Sequence, residues 1–243
     1  MNQTIRLDKL LSNNGLASRR AIKLFLKTNE VLINNKRATE SGLRVTPEDK
    51  VTINGKPLKK PDFVYFLLNK PIGIISTTSD EFSRDTVTSL IDTPLRIYPV
   101  GRLDKDTHGL ILLTNDGELT HKLIHPRYHV PKVYRLIIEG KPEKNQLERF
   151  RNGVLLDDGP TLPAEVKIIK ETKSQTLLEV TLHEGRNRQI RRMCETLGLE
   201  LLDLQRIAFG PLSLEKMKIG EYRNLTREEI GALKQAVELK VKS

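Results

Sequence analysis

The chain has 243 residues, 37% hydrophobic and 30% charged, with a formal net charge of +10. No apolar stretch approaches the ~18 residues of a membrane span and "MNQTIRLDKLL" lacks a signal-peptide layout, so a cytoplasmic protein without membrane partners is expected. A single cysteine, Cys194, excludes an internal disulfide framework, and five scattered histidines offer no metal-ligand spacing, since His125 and His129 flank Pro126.

Residues 1–60 hold 13 Lys+Arg against 5 Asp+Glu, an excess of 8, whereas residues 61–243 hold 28 against 26. That asymmetry is the footprint of a polyanion-binding module on a near-neutral body, the bland alternative being a basic surface that aids solubility. Leu7, Leu10 and Leu11 fall at helical spacing in "IRLDKLL", and Asn13-Asn14-Gly15 ends that helix. Ser18 reads as the N-cap of a helix over "RRAIKLFLKTNEV", with Ile22, Phe25 and Leu26 inward. Arg20, Lys23 and Lys27 share another face of it, with Arg19 beside them. "EVLINNKRA" and "DKVTINGKPL" read as short strands, each broken by an Asn-containing turn. Lys59-Lys60-Pro61-Asp62 reads as a linker, which gives domains 1–60 and 61–243.

Beyond the linker, "FVYFLLNKPIGIIST" is strand-like and punctuated by Pro71 and Gly73. Further strands are expected at "RIYPVGRL", "GLILLTN", "KVYRLIIEG", "AEVKIIKE", "TLLEVTLHE" and "LLDLQRIAFG". Helices are expected at "DTVTSLI", "GELTHKLI", "KNQLERFRNG", "NRQIRRMCETLG" and "REEIGALKQAVE", the last opened by the capping box Thr226-x-x-Glu229. Hairpin-joined neighbours such as 164–171 and 175–184 argue for an α+β fold with a mixed, mainly antiparallel sheet flanked by helices. No phosphate loop or dinucleotide fingerprint occurs, so no nucleotide cofactor is expected, and the His and Cys spacing gives no reason to expect a metal.

Three features can carry chemistry. Asp104 stands between Arg102 and Lys105, just ahead of the apolar run Leu110-Ile111-Leu112-Leu113. A carboxylate at the mouth of a buried strand needs a partner, and it is either a structural salt bridge or a reactive group. Asp106, two residues on, suggests a glycosidase-like pair, but such enzymes draw their carboxylates from separate elements and use aromatic sugar platforms, and this chain has no Trp. The second feature is "EGRNRQIRRMCETLG", where Ile190, Met193, Cys194 and Leu197 form a core stripe. Its arginines from Arg186 to Arg192 either bind an anion or pair with Glu195 on a solvated face. The third is Tyr134, which is either sheet packing or a stacking platform for a planar ligand.

In order, "LNKPIGI", "GRLDKDTHGLILLTNDG", "KVYRL" and "EGRNRQIRRM" resemble the rRNA pseudouridine synthases of the RsuA and RluB type. The first sixty residues resemble the αL RNA-binding domain first described in a small-subunit ribosomal protein. The resemblance implies a small N-terminal α/β-hairpin RNA-binding domain (1–60) and a pseudouridine synthase domain (61–243). It implies Asp104 as the catalytic aspartate, Arg191 as its basic partner, Tyr134 as the active-site tyrosine and Arg102 as an aid to base displacement. Lys70 and Pro71 match an upstream motif of architectural role. RNA contacts are expected from Arg6, Arg19, Arg20, Lys23, Arg186 and Arg188. The implied function is isomerisation of a uridine in ribosomal RNA, in the large subunit on the strength of "GVLLDDGPTLPAEV". The implied partner is rRNA or a pre-ribosomal particle, and the protein is expected to be monomeric. The alternatives are a non-catalytic RNA-binding assembly factor or a member acting on small-subunit rRNA.

Overall fold

The structure, a computed structural model, describes residues 4–59, 62–78 and 84–238. Lys60 and Pro61 of the expected linker lie outside the described residues. Two compact units form, one drawn from Met1–Val64, Thr93–Ile97 and Asn115–Gly117, the other from Tyr65–Asp92, Tyr98–Thr114 and Glu118–Ser243.

The first unit contains β1 (Ile5–Arg6), α1 (Leu7–Asn13), α2 (Ile22–Thr28), β2 (Val31–Ile33), β3 (Lys36–Arg37), β4 (Arg44–Val45), β5 (Val51–Ile53) and β6 (Lys56–Pro57). Its core joins Leu7 and Leu11 to Ile22, Leu26, Val31, Val45 and Val51. The first helix starts later than its periodicity suggests, because Ile5–Arg6 pair antiparallel with Arg44–Val45. The helix expected from Arg19 begins at Ile22, and Ser18 Oγ accepts from Ala21 N at 3.2 Å in the turn that feeds it. It ends at Thr28, where the Asn29 backbone turns extended and releases Val31 into a strand. The β2–β3 and β5–β6 hairpins turn at Asn34-Asn35 (φ 48° and 64°) and Asn54-Gly55 (φ 49° and 75°). Positive φ at both central residues matches the right-handed twist of the flanking strands, which is why Asn and Gly occupy these turns.

The second unit contains β7 (Tyr65–Lys70), β8 (Tyr98–Pro99), β9 (His108–Thr114), α3 (Gly117–Ile124), β10 (Lys132–Glu139), α4 (Lys144–Asn152), β11 (Leu155–Leu156) and β12 (Gly159–Pro160). It continues with β13 (Glu165–Glu171), β14 (Gln175–Leu182), α5 (Gln189–Leu197), β15 (Leu201–Phe209), β16 (Leu212–Ser213), β17 (Tyr222–Asn224) and α6 (Arg227–Glu238). The main sheet runs β13-β14-β10-β15-β9-β7-β17, with β16 beside β15 and β8 beside β9. Only β15 and β9 pair in parallel among the described strands, so the sheet is mixed and mainly antiparallel, as the hairpin spacing implied.

Two apolar clusters hold the helices to this sheet. Ile190, Met193, Cys194 and Leu197 of α5 join Leu147 and Phe150 of α4 against Leu136, Leu178, Val180 and Leu204. Each fully buried aliphatic side chain contributes roughly 1.5–3 kcal/mol, so α5 is fixed in rotation and its arginine face is aimed. Leu119, Leu123, Leu233 and Val237 pack on Leu67, Leu110 and Leu112 in the other cluster. The expected capping box of α6 is present, with Glu229 N donating to Thr226 Oγ1 at 3.2 Å and Thr226 N to Glu229 Oε2 at 2.8 Å.

Two expectations need correction. "DTVTSLI" is not helical: Thr86 bridges to Ile75, and Ser89 Oγ donates to Thr86 O at 2.8 Å. Local Ser/Thr bonds to the backbone compete with the helix there. "RIYPVGRL" shrinks to Tyr98–Pro99, because Gly101 at φ 75° turns the chain into a loop.

Strands β9 and β15 leave no room for a side chain at Gly109. This residue has φ +108°, and an added Cβ would stand 2.2 Å from Arg206 O. Gly109→Ala is therefore expected to cost about 3 kcal/mol from combined clash and backbone strain. Urea denaturation checks this, and an unchanged midpoint would contradict the close approach.

Candidate active site

The loop from Gly101 to Thr107 lies between β8 and β9, and its backbone is tied down from below. Ser76 Oγ donates to Leu103 O at 2.7 Å, and Leu103 N donates back to Ser76 Oγ at 3.1 Å. Lys70, at the end of β7, is completely buried. Its Nζ donates to Pro71 O at 3.0 Å, Asp104 O at 3.1 Å and Thr107 O at 2.7 Å. An ammonium has three N–H donors, and here each has a carbonyl. Burial pushes Lys70 from 10.5 down to about 8, against the opposing pull of the Asp106 and Asp104 charges.

With its carbonyl held this way, Asp104 turns a partly exposed carboxylate into a cavity. The opposing wall is the start of α5. Arg188 sits in the left-handed region at φ 47°, and its Nη1 lies 3.8 Å from Asp104 Oδ2 and 3.4 Å from Asp106 Oδ1. Non-glycine residues adopt that backbone rarely, and such strain concentrates at functional sites. Arg191 Nη2 donates to Asp106 O at 3.0 Å and Thr107 Oγ1 at 3.3 Å, with Asp106 Oδ2 also at 3.3 Å. The expected direct pairing of Arg191 with Asp104 is thus replaced: Arg188 provides the ion pair, and Arg191 braces the loop that carries the aspartate.

The other two arginines of the cluster face away from this role. Arg192 holds Asp158 through two bonds of 3.0 and 3.1 Å. Arg186 donates to Glu184 at 3.1 Å, to Gly159 O at 3.0 Å and to Pro160 O. These bonds pin the β11–β12 hairpin to α5. Arg186, expected with Arg188 to contact RNA, therefore has its guanidinium committed to the protein. Cys194 is buried in the apolar stripe and its thiol is pushed up to about 12 by that burial, so it is no nucleophile.

The cavity measures about 630 Å³ and is lined by Arg102, Asp104, Tyr134, Arg188, Arg191 and Leu204, among others. Tyr134 reaches it from the centre of the sheet on β10, and Arg102 stands exposed at its edge. One carboxylate, a phenol, an apolar floor and several guanidiniums suit a planar polar ring flanked by anionic groups. All four residues expected in or beside the active site are brought together here. Asp106 and Lys70 are structural parts of the site that spacing did not identify in these roles. For Lys70 the resemblance had implied an architectural role, through the motif "LNKPIGI".

In the first unit, Asp8 is buried and receives Arg6 at 3.2 Å and Arg19 at 3.0 Å. Burial raises its carboxyl, but the bonds from Arg6 and Arg19 outweigh that and hold it below the ordinary range. Arg6 and Arg19 are thereby oriented, while Arg20 and Lys23 stand exposed. Among the described residues no group of three or more His, Cys, Asp or Glu could hold a metal, and no helix is long and apolar enough to cross a membrane.

Comparisons with known proteins identify the family. A family model described as RNA pseudouridylate synthase matches residues 64–196, and one described as S4 domain matches residues 5–51. The chain is 43% identical over 232 residues to the ribosomal large subunit pseudouridine synthase B of Bacillus subtilis (strain 168), covering 94% of this chain and 95% of that protein. It is 37% identical over 240 residues to the dual-specificity RNA pseudouridine synthase RluF of Escherichia coli O6:H1, covering 98% and 81% respectively. A crystal structure of a pseudouridylate synthase aligns with TM-score 0.69 at 32% identity, covering 94% of this chain and 99% of that one.

The lysine clamp has a pH signature. The unfolded chain keeps the Lys70 proton up to 10.5, whereas the folded chain releases it near 8. Between those values the unfolded state binds more protons, so this group's contribution to stability rises with pH across that window and is flat below it. Wild type should gain urea resistance relative to Lys70→Met from pH 8 to 10, and the Lys70 side-chain NMR signal should titrate near 8. Titration at the ordinary lysine value would contradict the burial.

Proposed function

Because the chain belongs to the RNA pseudouridylate synthase family and carries an S4 domain ahead of the matched region, we propose that it converts a specific uridine of ribosomal RNA to pseudouridine. The observation that carries this reading is the single cavity shared by Asp104, Tyr134, Arg188 and Arg191. The name of the Bacillus subtilis relative, together with the segment "GVLLDDGPTLPAEV", favours large-subunit rRNA as the target.

Isomerisation breaks the bond between uracil N1 and ribose C1′, turns the ring, and joins C5 to C1′. The proton lost from C5 is balanced by one gained at N1, so no oxidant, reductant or cofactor is consumed. A uridine within RNA structure must first leave its stack, at a cost of a few kcal/mol that stacking and basic contacts offset. In this reading Arg102 helps displace the base, Tyr134 packs on the everted uracil, and Arg188 and Arg191 attract the flanking phosphates. Asp104 acts as the carboxylate at C1′ or at the departing proton, with the Arg188 guanidinium at 3.8 Å as its counter-charge.

Residues 1–60 serve as the RNA-binding module and 61–243 as the catalytic domain. Arg20 and Lys23 are the exposed phosphate contacts, and Arg6 and Arg19 are contacts oriented by Asp8. The protein acts as a cytoplasmic monomer. The edge strand β13 supports the last point, because a register shift between Ile168 and Lys170 and its lysines disfavour pairing with a second copy.

Asp104→Asn should abolish pseudouridine formation, read by carbodiimide primer extension, while RNA affinity stays within about twofold of wild type, since phosphate contacts dominate that affinity. Retained activity in the purified variant would end this reading. Neutralising Arg20 and Lys23 together as glutamines should reduce the slope of log affinity against log salt by roughly 1.5 with the cleft unchanged. An unaltered slope would show that the first unit holds something other than the RNA backbone.

A further inference from the structure

Helix α3 ends at the cavity, and its last residue is an apolar one left in water. Leu119 and Leu123 turn inward and are buried, whereas Ile124, the next position, is 47% exposed. Isolated exposed aliphatic side chains are common on protein surfaces, so exposure alone carries no meaning. What singles out Ile124 is its place. It lines the cavity together with Arg102, Asp104 and Tyr134. It also rests against the loop that presents the aspartate: a Cβ added at Gly101, one residue ahead of Arg102, would lie 3.7 Å from its Cγ2. The chain on either side of it is anchored, since Leu123 and Tyr128 are each 1% exposed. Between them Pro126 stops the helix, and Tyr128 N donates to His125 O at 3.1 Å in the short turn that follows. Branching at Cβ leaves isoleucine few side-chain rotamers, so its tip is stiff. His125 and Arg127 stand exposed just beyond it.

A base that leaves a stacked helix leaves a gap between its neighbours. That gap closes, or draws the base back, unless something occupies it. Apolar side chains inserted between bases serve this purpose in proteins that distort nucleic acid helices, because they replace lost stacking contact without asking for hydrogen bonds. We propose that Ile124 is such a wedge: it fills the space vacated by the everted uridine and so lets the enzyme take uridines from stacked RNA. Its stiffness suits this, since a short branched side chain held by two anchors has little freedom to lose on insertion. The task differs from that of Arg102 beside it, whose guanidinium contacts polar and anionic groups and offers the bases no comparable apolar surface. The inference rests on the proposal that this chain isomerises a uridine in RNA.

The test uses two RNAs made from the rRNA segment in which wild type forms pseudouridine. One is a hairpin with the target uridine paired in its stem, and the other is the same strand with its complement deleted. Single-turnover rates are read on both by carbodiimide primer extension. Ile124→Ser should lower the ratio of the hairpin rate to the single-strand rate roughly tenfold, the scale of one lost isoleucine burial. Ile124→Leu keeps an apolar tip and should hold that ratio within about threefold of wild type. Because both RNAs meet the same protein sample, any loss of folded protein cancels in the ratio. An Ile124→Ser ratio equal to that of wild type would overturn the proposal, as would a wild type that modifies the single strand but not the hairpin. Equal falls in the ratio for Ile124→Leu and Ile124→Ser would also overturn it. A wild type that forms no pseudouridine in rRNA would instead remove the functional reading, and this inference with it.

Discussion

The site depends on a fully buried ammonium. Lys70 gives each of its three N–H groups a carbonyl, and two of those carbonyls belong to Asp104 and Thr107. A loop held only by its own turn would let the Asp104 carboxylate wander. Held from below, it has one direction left, into the cavity. The cost of desolvating the lysine is visible in its depressed proton affinity, and the closed set of acceptors offsets that cost.

From this clamp the division of labour among the charges follows. Asp106 takes up Arg191 and shares Arg188, so the loop is braced from above by α5 as well as from below by β7. α5 can serve as a brace because its apolar stripe is locked into the core, and because Arg186 and Arg192 fasten its start to the β11–β12 hairpin. The positive field over the cavity is thus rigid before any RNA arrives. Preorganised charge of this kind needs no rearrangement when a charged substrate enters, which is what a reaction passing through a detached uracil requires.

Much of this was legible in the sequence. Alternation and apolar runs located β7, β9, β10, β13, β14 and β15, because a sheet buried against helices leaves a strong pattern. The motifs "GRLDKDTHG" and "EGRNRQIRRM" named residues that line the cavity through their family resemblance, whereas residue types alone left Asp104 as either a salt bridge or a reactive group. Sequence could not tell which guanidinium reaches which carboxylate. Arg188 and Arg191 lie three positions apart on neighbouring turns, and only the left-handed backbone at Arg188 swings its side chain toward Asp104. The bonds of Arg186 to Gly159 O and Pro160 O were not legible, because those acceptors are backbone atoms distant in sequence. "DTVTSLI" misled for a local reason: its threonines and serine satisfy the backbone without a helix.

Pseudouridine formation at this site requires that a uridine leave its RNA and lodge between Asp104 and Tyr134. A crystal structure with an RNA carrying 5-fluorouridine at the target position tests it directly, because fluorine replaces the proton that C5 must lose and so arrests the reaction. The fluorinated ring should be everted into the cavity and packed on Tyr134, with ribose C1′ facing the Asp104 carboxylate and phosphates near Arg188 and Arg191. An RNA bound with that base still stacked, or held on another face with the cavity empty, would contradict it.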